Sequence, residues 1–274
     1  MINYQKLENW KERQELKRLL DLKDPPKELF YRGEWNGSLF GKCAAVVGSR
    51  RMTEYGRRVT EMVVTELISD GYTIVSGFMY GVDQWAHRET IRQGGKTIAV
   101  LGYGITWPLY DQEKKLGEEI ISNGGLLLSE WEEQASTLWT FPRRNRIVAA
   151  LTEKTIVIEA AEKSGSLITA RLAGQLHREV MAVPGMLTSR LSVGTNGLIS
   201  EGKARMWLPG QMKVARKISN NPVLELLSCE DLFVDEMAVK LQLKVEEIML
   251  ELMKLQLSGQ VGERGGKWFL IDVS

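Results

Sequence analysis

"CAAVVGS", residues 43–49, runs five apolar residues together and then breaks into Gly48 and Ser49. A strand with one face in water alternates apolar with polar; this one does not, so it reads as a strand buried on both faces and ended by a tight turn. The same pattern recurs in "YTIVSG" (72–77), "TIAVLG" (97–102), "GLLLSE" (125–130), "TIVIEA" (155–160) and "EVMAVPG" (179–185). Amphipathic stretches at 55–69, 81–93, 112–122, 142–151 and 166–176 fall between them. Strands alternating with helices predict an α/β fold with a parallel-rich sheet covered on both faces.

Composition limits what such a chain can be. Its 274 residues, 43% hydrophobic and 26% charged, suffice for one sizeable α/β core and a small second domain. Thirty-six Lys and Arg against 35 Asp and Glu leave a formal charge of +1, so any basic binding surface must be local. Two cysteines, Cys43 and Cys229, are far apart and lack metal-ligand spacing, which fits a reducing, cytoplasmic compartment. The opening "MINYQKLENWKERQELKRLL" is too polar for a signal peptide, and no apolar run reaches membrane-spanning length.

Small residues close most of the strands: Gly48-Ser49, Ser76-Gly77, Gly102, Ser129 and Pro184-Gly185. In open α/β sheets the ligand sits beyond the carboxyl ends of the strands, so this rim is the expected site, although any one of these glycines is explained by turn geometry alone. "FPRRNRIVAAL" (141–151) adds charge there. Pro142 suits a first helical turn and places Arg143, Arg144 and Arg146 near a helix N-terminus, where cations oppose the dipole and repel one another. An anion bound there reverses the sign of both terms; ion pairs with Glu130, Glu159 or other acids would do the same. Arg50 follows the first strand's turn onto the same rim. "EAAEKSGSLITA" (159–170) offers Lys163, Ser164, Gly165, Ser166 and Thr169 at the start of a helix, with Ser166 in the N-cap position. The expected phosphate-binding set is therefore Gly48, Ser49, Arg50, Gly77, Arg143, Arg144, Asn145, Arg146, Lys163, Ser164, Gly165, Ser166 and Thr169.

Other chemistry finds little support. "GYGITW" (102–107) has two glycines of a dinucleotide fingerprint but Trp107 at the third, and no Walker A, G-x-S-x-G or H-E-x-x-H pattern occurs. His87 and His177 have no ligand array around them and read as structural, so no metal or cofactor is expected. Glu130 and Glu159 end strands and could act as acid and base, yet no nucleophile accompanies them. The chain reads as a binder rather than an enzyme, with a nucleotide-directed hydrolase or transferase, or a nucleotide-sensing module, as alternatives in the same pocket.

Seven ordered segments carry a family resemblance: "DPPKELFYRG" (24–33), "VVGSRRMTEYG" (46–56), "TIVSGFMYGVDQWAH" (73–87), "GGKTIAVLGYG" (94–104), "FPRRNRIVAAL", "SGSLITA" (164–170) and "VPGMLTSRLSVGTNGLISEG" (183–202). Together they resemble the DNA-processing protein A (DprA/Smf) family. The resemblance implies an extended Rossmann-like domain that binds single-stranded DNA, protects it, and helps to load RecA recombinase in natural transformation, usually as a homodimer. It carries the family's GSR arginine onto Arg50 and its basic pocket onto the FPRRNR cluster. Phe141, Trp139 and Trp107 are available for base stacking. Where the family usually reads A-x-G-I-D, this chain has Phe78-Met79-Tyr80-Gly81-Val82-Asp83, so a different loop lining is expected. The stretch before Asp24 is short for the family's helical N-terminal domain.

The expected domains are a helical or extended lead-in at 1–40, the Rossmann-like domain at 41–205, a basic linker at 206–221 and a winged-helix-like domain at 222–274. In the last, three amphipathic stretches precede a glycine-turned hairpin, "SGQVGERGGKWFLI" (258–271). Its would-be recognition helix carries Glu246, Glu247 and Glu251, poor chemistry for a phosphate-lined groove and better suited to packing or protein contact.

Overall fold

The run at 43–47 is the middle of a nine-stranded sheet. The structure, a computed structural model, describes residues 3–210, 221–227 and 231–270, and the chain divides into two compact units, Met1–Met212 and Lys213–Ser274. In the first unit the strands are β1 (Gln5–Lys6), β2 (Phe30–Arg32), β3 (Cys43–Val47), β4 (Thr73–Ser76), β5 (Thr97–Val100), β6 (Leu126–Ser129), β7 (Lys154–Val157), β8 (Glu179–Ala182) and β9 (Arg205–Met206). Their spatial order is β1-β2-β6-β5-β4-β3-β7-β8-β9. All neighbours from β6 to β9 run parallel, while β2 lies antiparallel on β6 and β1 antiparallel on β2.

Helices cover both faces because the strands are apolar on both. Cys43, Ala45 and Val47 turn one way, onto Ile147, Val148 and Leu151 of α4 (Thr140–Leu151) and Ala170 and Ala173 of α5 (Ser166–Gln175). Ala44 and Val46 turn the other way, onto Val59, Val63 and Leu67 of α1 (Glu54–Ser69) and Val82 and Ala86 of α2 (Val82–Arg92). Leu116 and Ile120 of α3 (Asp111–Ser122) pack on Ala99 and Leu127 beside Phe30. Each fully buried Leu, Ile or Val contributes roughly 1.5–3 kcal/mol, so a strand buried on both faces is favoured twice over. The six strands and five helices expected from the sequence are all present, and the fold is mixed α/β with a mainly parallel sheet.

Four elements went unanticipated: β1, β2, β9 and α6 (Val193–Ser200). The segment before residue 41 builds short 3-10 turns at Trp10–Glu12, Gln14–Asp21 and Gly37–Phe40 as well as β1 and β2. Its Trp10, Leu16, Leu19 and Leu29 belong to the same apolar cluster as α4 and α5, so it is part of this unit's core.

Strand order fixes where a ligand can bind. From β3 the chain steps outward through β4 and β5 to β6, returns along α4 to the opposite side of β3, and continues through β7 and β8 to β9. The order therefore reverses between β3 and β7. There the following loops diverge to opposite faces of the sheet and leave a crevice at the carboxyl ends.

The second unit contains α7 (Pro222–Leu227), β10 (Leu232–Phe233), α8 (Val234–Leu241), α9 (Val245–Leu257), β11 (Val261–Arg264) and β12 (Lys267–Leu270). β12 pairs antiparallel with both β10 and β11. Val223, Leu227, Met237, Ile248, Leu252, Val261 and Trp268 form a core of its own. Most of the expected linker, residues 211–220, lies outside the described residues. Among the described residues no helix is long and apolar enough to cross a membrane.

Candidate nucleic-acid interface

A cleft of about 380 Å³ occupies the β3/β7 crevice. Its walls come from four places: Val47, Gly48 and Arg50 after β3; Gly77, Met79 and Asp83 between β4 and α2; Leu138, Phe141, Pro142, Arg144, Asn145 and Val148 on and before α4; and Lys163, Ser164, Gly165, Ser166 and Thr169 leading into α5. Ten of the thirteen residues expected from the sequence thus meet in one place. Ser49, Arg143 and Arg146 do not line it.

The helical period explains how the arginines divide. At 100° per residue, Phe141, Arg144, Asn145 and Val148 share the face turned to the cleft, whereas Arg143 and Arg146, three apart, share another. On that other face Arg146 Nη2 lies 2.5 Å from Glu130 Oε2, and Arg143 reaches Asp24 at 3.0 Å and Glu130 at 3.6 Å. Carboxylates, not a ligand, offset these two cations at the start of α4. Burial pushes the Glu130 carboxyl up, and Arg146 and Arg143 draw it back. Arg146 still has Nε and Nη1 buried without a partner, so the pair is incompletely satisfied.

Arg144 is a different case. It is buried at 2% exposure, donates to the Val100 carbonyl at the end of β5, and donates through Nε to Asn145 Oδ1 at 3.2 Å. Asn145 in turn donates to the Gly165 carbonyl at 3.2 Å, tying α4 to the loop before α5. Arg50 is exposed, with its guanidinium carbon 5.3 Å above the Phe141 ring, an arrangement that supports the charge while leaving its donors available.

Asp83 was absent from the expected set. It lines the cleft at 9% exposure, and burial pushes its carboxyl up to about 6, opposed by Arg144, the Met79 backbone, Ser76 and Arg50. Gly77 makes room for this group: a β-carbon there would lie 2.2 Å from Asp83 Oδ2 and 2.7 Å from Arg144 Nη2. Asp83 falls in the first turn of α2, where an acid reads simply as a complement to the helix dipole, and that masked it.

The loop after β3 is held from behind. Gly81, at φ +82°, brings α2 so close that a β-carbon would lie 2.2 Å from the Ser49 carbonyl. That carbonyl accepts from Val82 N–H, and the Ser49 hydroxyl accepts from Arg51 N–H, so Ser49 is spent on shaping the turn. Ser166 is the first residue of α5 and Gly165 its N-cap, which corrects the expected capping role; the Ser164 and Ser166 hydroxyls lie 2.8 Å apart. Of the replaced family motif, Phe78 packs into the core beside Leu101 and only Met79 and Asp83 line the cleft.

The alternative general bases are engaged elsewhere. Glu159 accepts from the Thr53 N–H at 2.9 Å and from the Thr53 hydroxyl, fixing the N-terminus of α1, while Glu130 holds the two arginines. His87 is fully buried between the Thr97 hydroxyl (2.7 Å) and the Gly77 carbonyl (2.6 Å), and burial lowers it to about 4, so it is a neutral structural residue. Among the described residues no three His, Cys, Asp or Glu are grouped to hold a metal ion.

Comparison with known proteins places this geometry in context. The profile of the family described as DNA recombination-mediator protein A matches residues 8–217. DNA processing protein DprA of Streptococcus pneumoniae is 41% identical over 194 residues, 70% of this chain and 67% of that protein. DprA of Bacillus subtilis is 37% identical over 190 residues; the aligned part is 69% of this chain but only 64% of the relative, so less than two thirds of that protein is spanned. Protein Smf of Escherichia coli is 34% identical over 272 residues, covering 89% of this chain and 71% of its own length. The crystal structure of the Streptococcus protein superposes with a TM-score of 0.66 at 38% identity, over 73% of this chain and 69% of that one. DNA processing protein A from Helicobacter pylori, whose structure describes that protein's single-stranded DNA binding mode, superposes with a TM-score of 0.65 at 33% identity, over 75% and 91%. With the family profile spanning strands β2 to β9 and the cleft, this chain belongs to the DNA recombination-mediator protein A family.

Proposed function

We propose that the protein binds single-stranded DNA in the β3/β7 cleft, protects it, and acts as a DNA-processing partner that helps to load RecA recombinase during transformation or recombination, as a cytoplasmic homodimer. The observation that carries this reading is the convergence of Arg50, Arg144 and the 163–166 loop at the sheet's switch point, in a chain whose Helicobacter relative binds single-stranded DNA. The cleft has few cations and no array of groups for reading base edges, so binding goes through phosphates and carries little sequence preference. Binding is favoured over catalysis because Glu130 and Glu159 are both committed to structural partners. The second unit, three helices with a hairpin and an acidic α9, suits a winged-helix-like protein-contact module better than a DNA reader. Titrating a fluorescent oligonucleotide across a salt series tests the reading. A log–log slope near −0.7 for each phosphate engaged is expected, and affinity that is indifferent to salt would refute it.

A further inference from the structure

A buried carboxylate in the floor of a polyanion site works against the ligand, and the fold keeps one there. Asp83 and Arg144 both press on position 77, where a β-carbon would lie 2.2 Å from Asp83 Oδ2 and 2.7 Å from Arg144 Nη2, so glycine is required there. Arg50, Arg144 and Lys163 bring three positive charges to the cleft and Asp83 sets one negative charge among them. That carboxylate repels a ligand in proportion to the ligand's own negative charge. A phosphodiester within a strand carries one; a terminal phosphate or free nucleotide carries close to two.

We propose that Asp83 is a specificity-determining residue that weakens binding of the doubly charged phosphate of a strand end or a mononucleotide more than that of the singly charged phosphodiester of an unbroken strand. This rests on the cleft being the DNA site. A unit charge within roughly 10 Å, at the effective dielectric of a protein surface, changes affinity on the order of tenfold. Asp83 therefore costs a diester one such factor and a dianion about two.

The groups facing Asp83 leave it as the switchable one. Arg50 from the β3 loop and Arg144 from α4 stay charged. His87 of α2, behind Gly77, is lowered to about 4, and Tyr103, near Arg144, is raised by burial; both are uncharged near neutrality. Asp83 itself, raised to about 6, is ionised at neutral pH and loses its charge in mild acid.

The test displaces a labelled oligonucleotide from the full chain with thymidylyl-thymidine, which has one diester, with thymidine monophosphate, and with inorganic sulfate. In Asp83→Asn, an isosteric change, the diester and the monophosphate should both bind more tightly, and the ratio of their inhibition constants should shift about tenfold toward the monophosphate. An unchanged ratio overturns the proposal. Should Asp83→Asn fail to melt cooperatively, wild type moved from about pH 7.5 to about pH 5.5 gives the same information, since sulfate stays doubly charged and the diester singly charged. Sulfate must gain on the diester, and parallel changes refute the idea. Wild type that binds the labelled oligonucleotide yet shows no ratio shift sinks only this inference; wild type that does not bind it removes the DNA reading as well.

Discussion

Replacing Arg50 by alanine is the cleanest probe of the cleft. The side chain is exposed and rests on the Phe141 ring at 5.3 Å, so its removal costs the fold little, about 0.5–1 kcal/mol for a cation–π contact. A charge-assisted hydrogen bond to phosphate is worth roughly 1.5–3 kcal/mol, which predicts an affinity loss of about 10- to 150-fold. The salt slope should also shrink by about 0.7, one phosphate's share. Arg143→Ala is the matched control. It removes a like charge from the start of α4, but that charge is already met by Asp24 at 3.0 Å and Glu130 at 3.6 Å, so affinity and slope should barely move. Arg144→Ala is a poor substitute, because Arg144 is buried and donates to the Val100 carbonyl and to Asn145, so its removal perturbs the fold as well as the cleft. Fluorescence anisotropy over a salt series reads both quantities. If Arg50→Ala keeps the wild-type slope, or Arg143→Ala suffers the greater loss, the division of the arginines between cleft and carboxylates is wrong.

Glu130→Ala leaves Arg146 buried without its counter-charge, and denaturant melts should show a loss of roughly 3–5 kcal/mol that Glu130→Leu combined with Arg146→Met largely restores; a loss below about 1 kcal/mol would show the pair to be solvated. Glu159→Ala removes the acceptor of both Thr53 donors and should cost about 1–3 kcal/mol while sparing oligonucleotide affinity, with faster amide exchange around residues 53–56. Stability should also depend on pH through Asp83. Its folded value of about 6 lies above the ordinary 3.8, so the unfolded chain gives up its proton first and wild type loses stability as pH rises from about 4 to about 6. Asp83→Asn should abolish that decline, and identical pH profiles for the two proteins would contradict it.

The strands of the first unit were legible because burial on both faces writes itself as unbroken apolar runs, and their glycine ends marked the rim. β1, β2 and β9 were not. They are two or three residues long: Gln5, Lys6, Arg205 and Met206 are exposed and give β1 and β9 no apolar signal, while the buried Phe30 and Tyr31 of β2 make too short a run to tell from loop. The basic motif at 143–146 was visible, but its partition depends on the helical phase of α4 and on Asp24 and Glu130 arriving from distant segments. Local spacing could have separated Arg144 from its neighbours; it could not have supplied their partners. Asp83 joined the site only through the convergence of α2 and α4 over Gly77, a tertiary fact with no local signature.

The placement of β2 bears on how the chain is made. Phe30 pairs with Ser129, and although Ala44 finds Ile74 of β4 early, its other edge pairs with Lys154, so β2 and one edge of β3 wait for partners synthesised about a hundred residues later. Until then Leu16, Leu19 and Leu29 have no wall to pack against, and a nascent chain stalled before α4 should bind chaperones and be cut readily by protease. Release past β7 should bring protection in a single step, because closing the sheet and seating those leucines are one event.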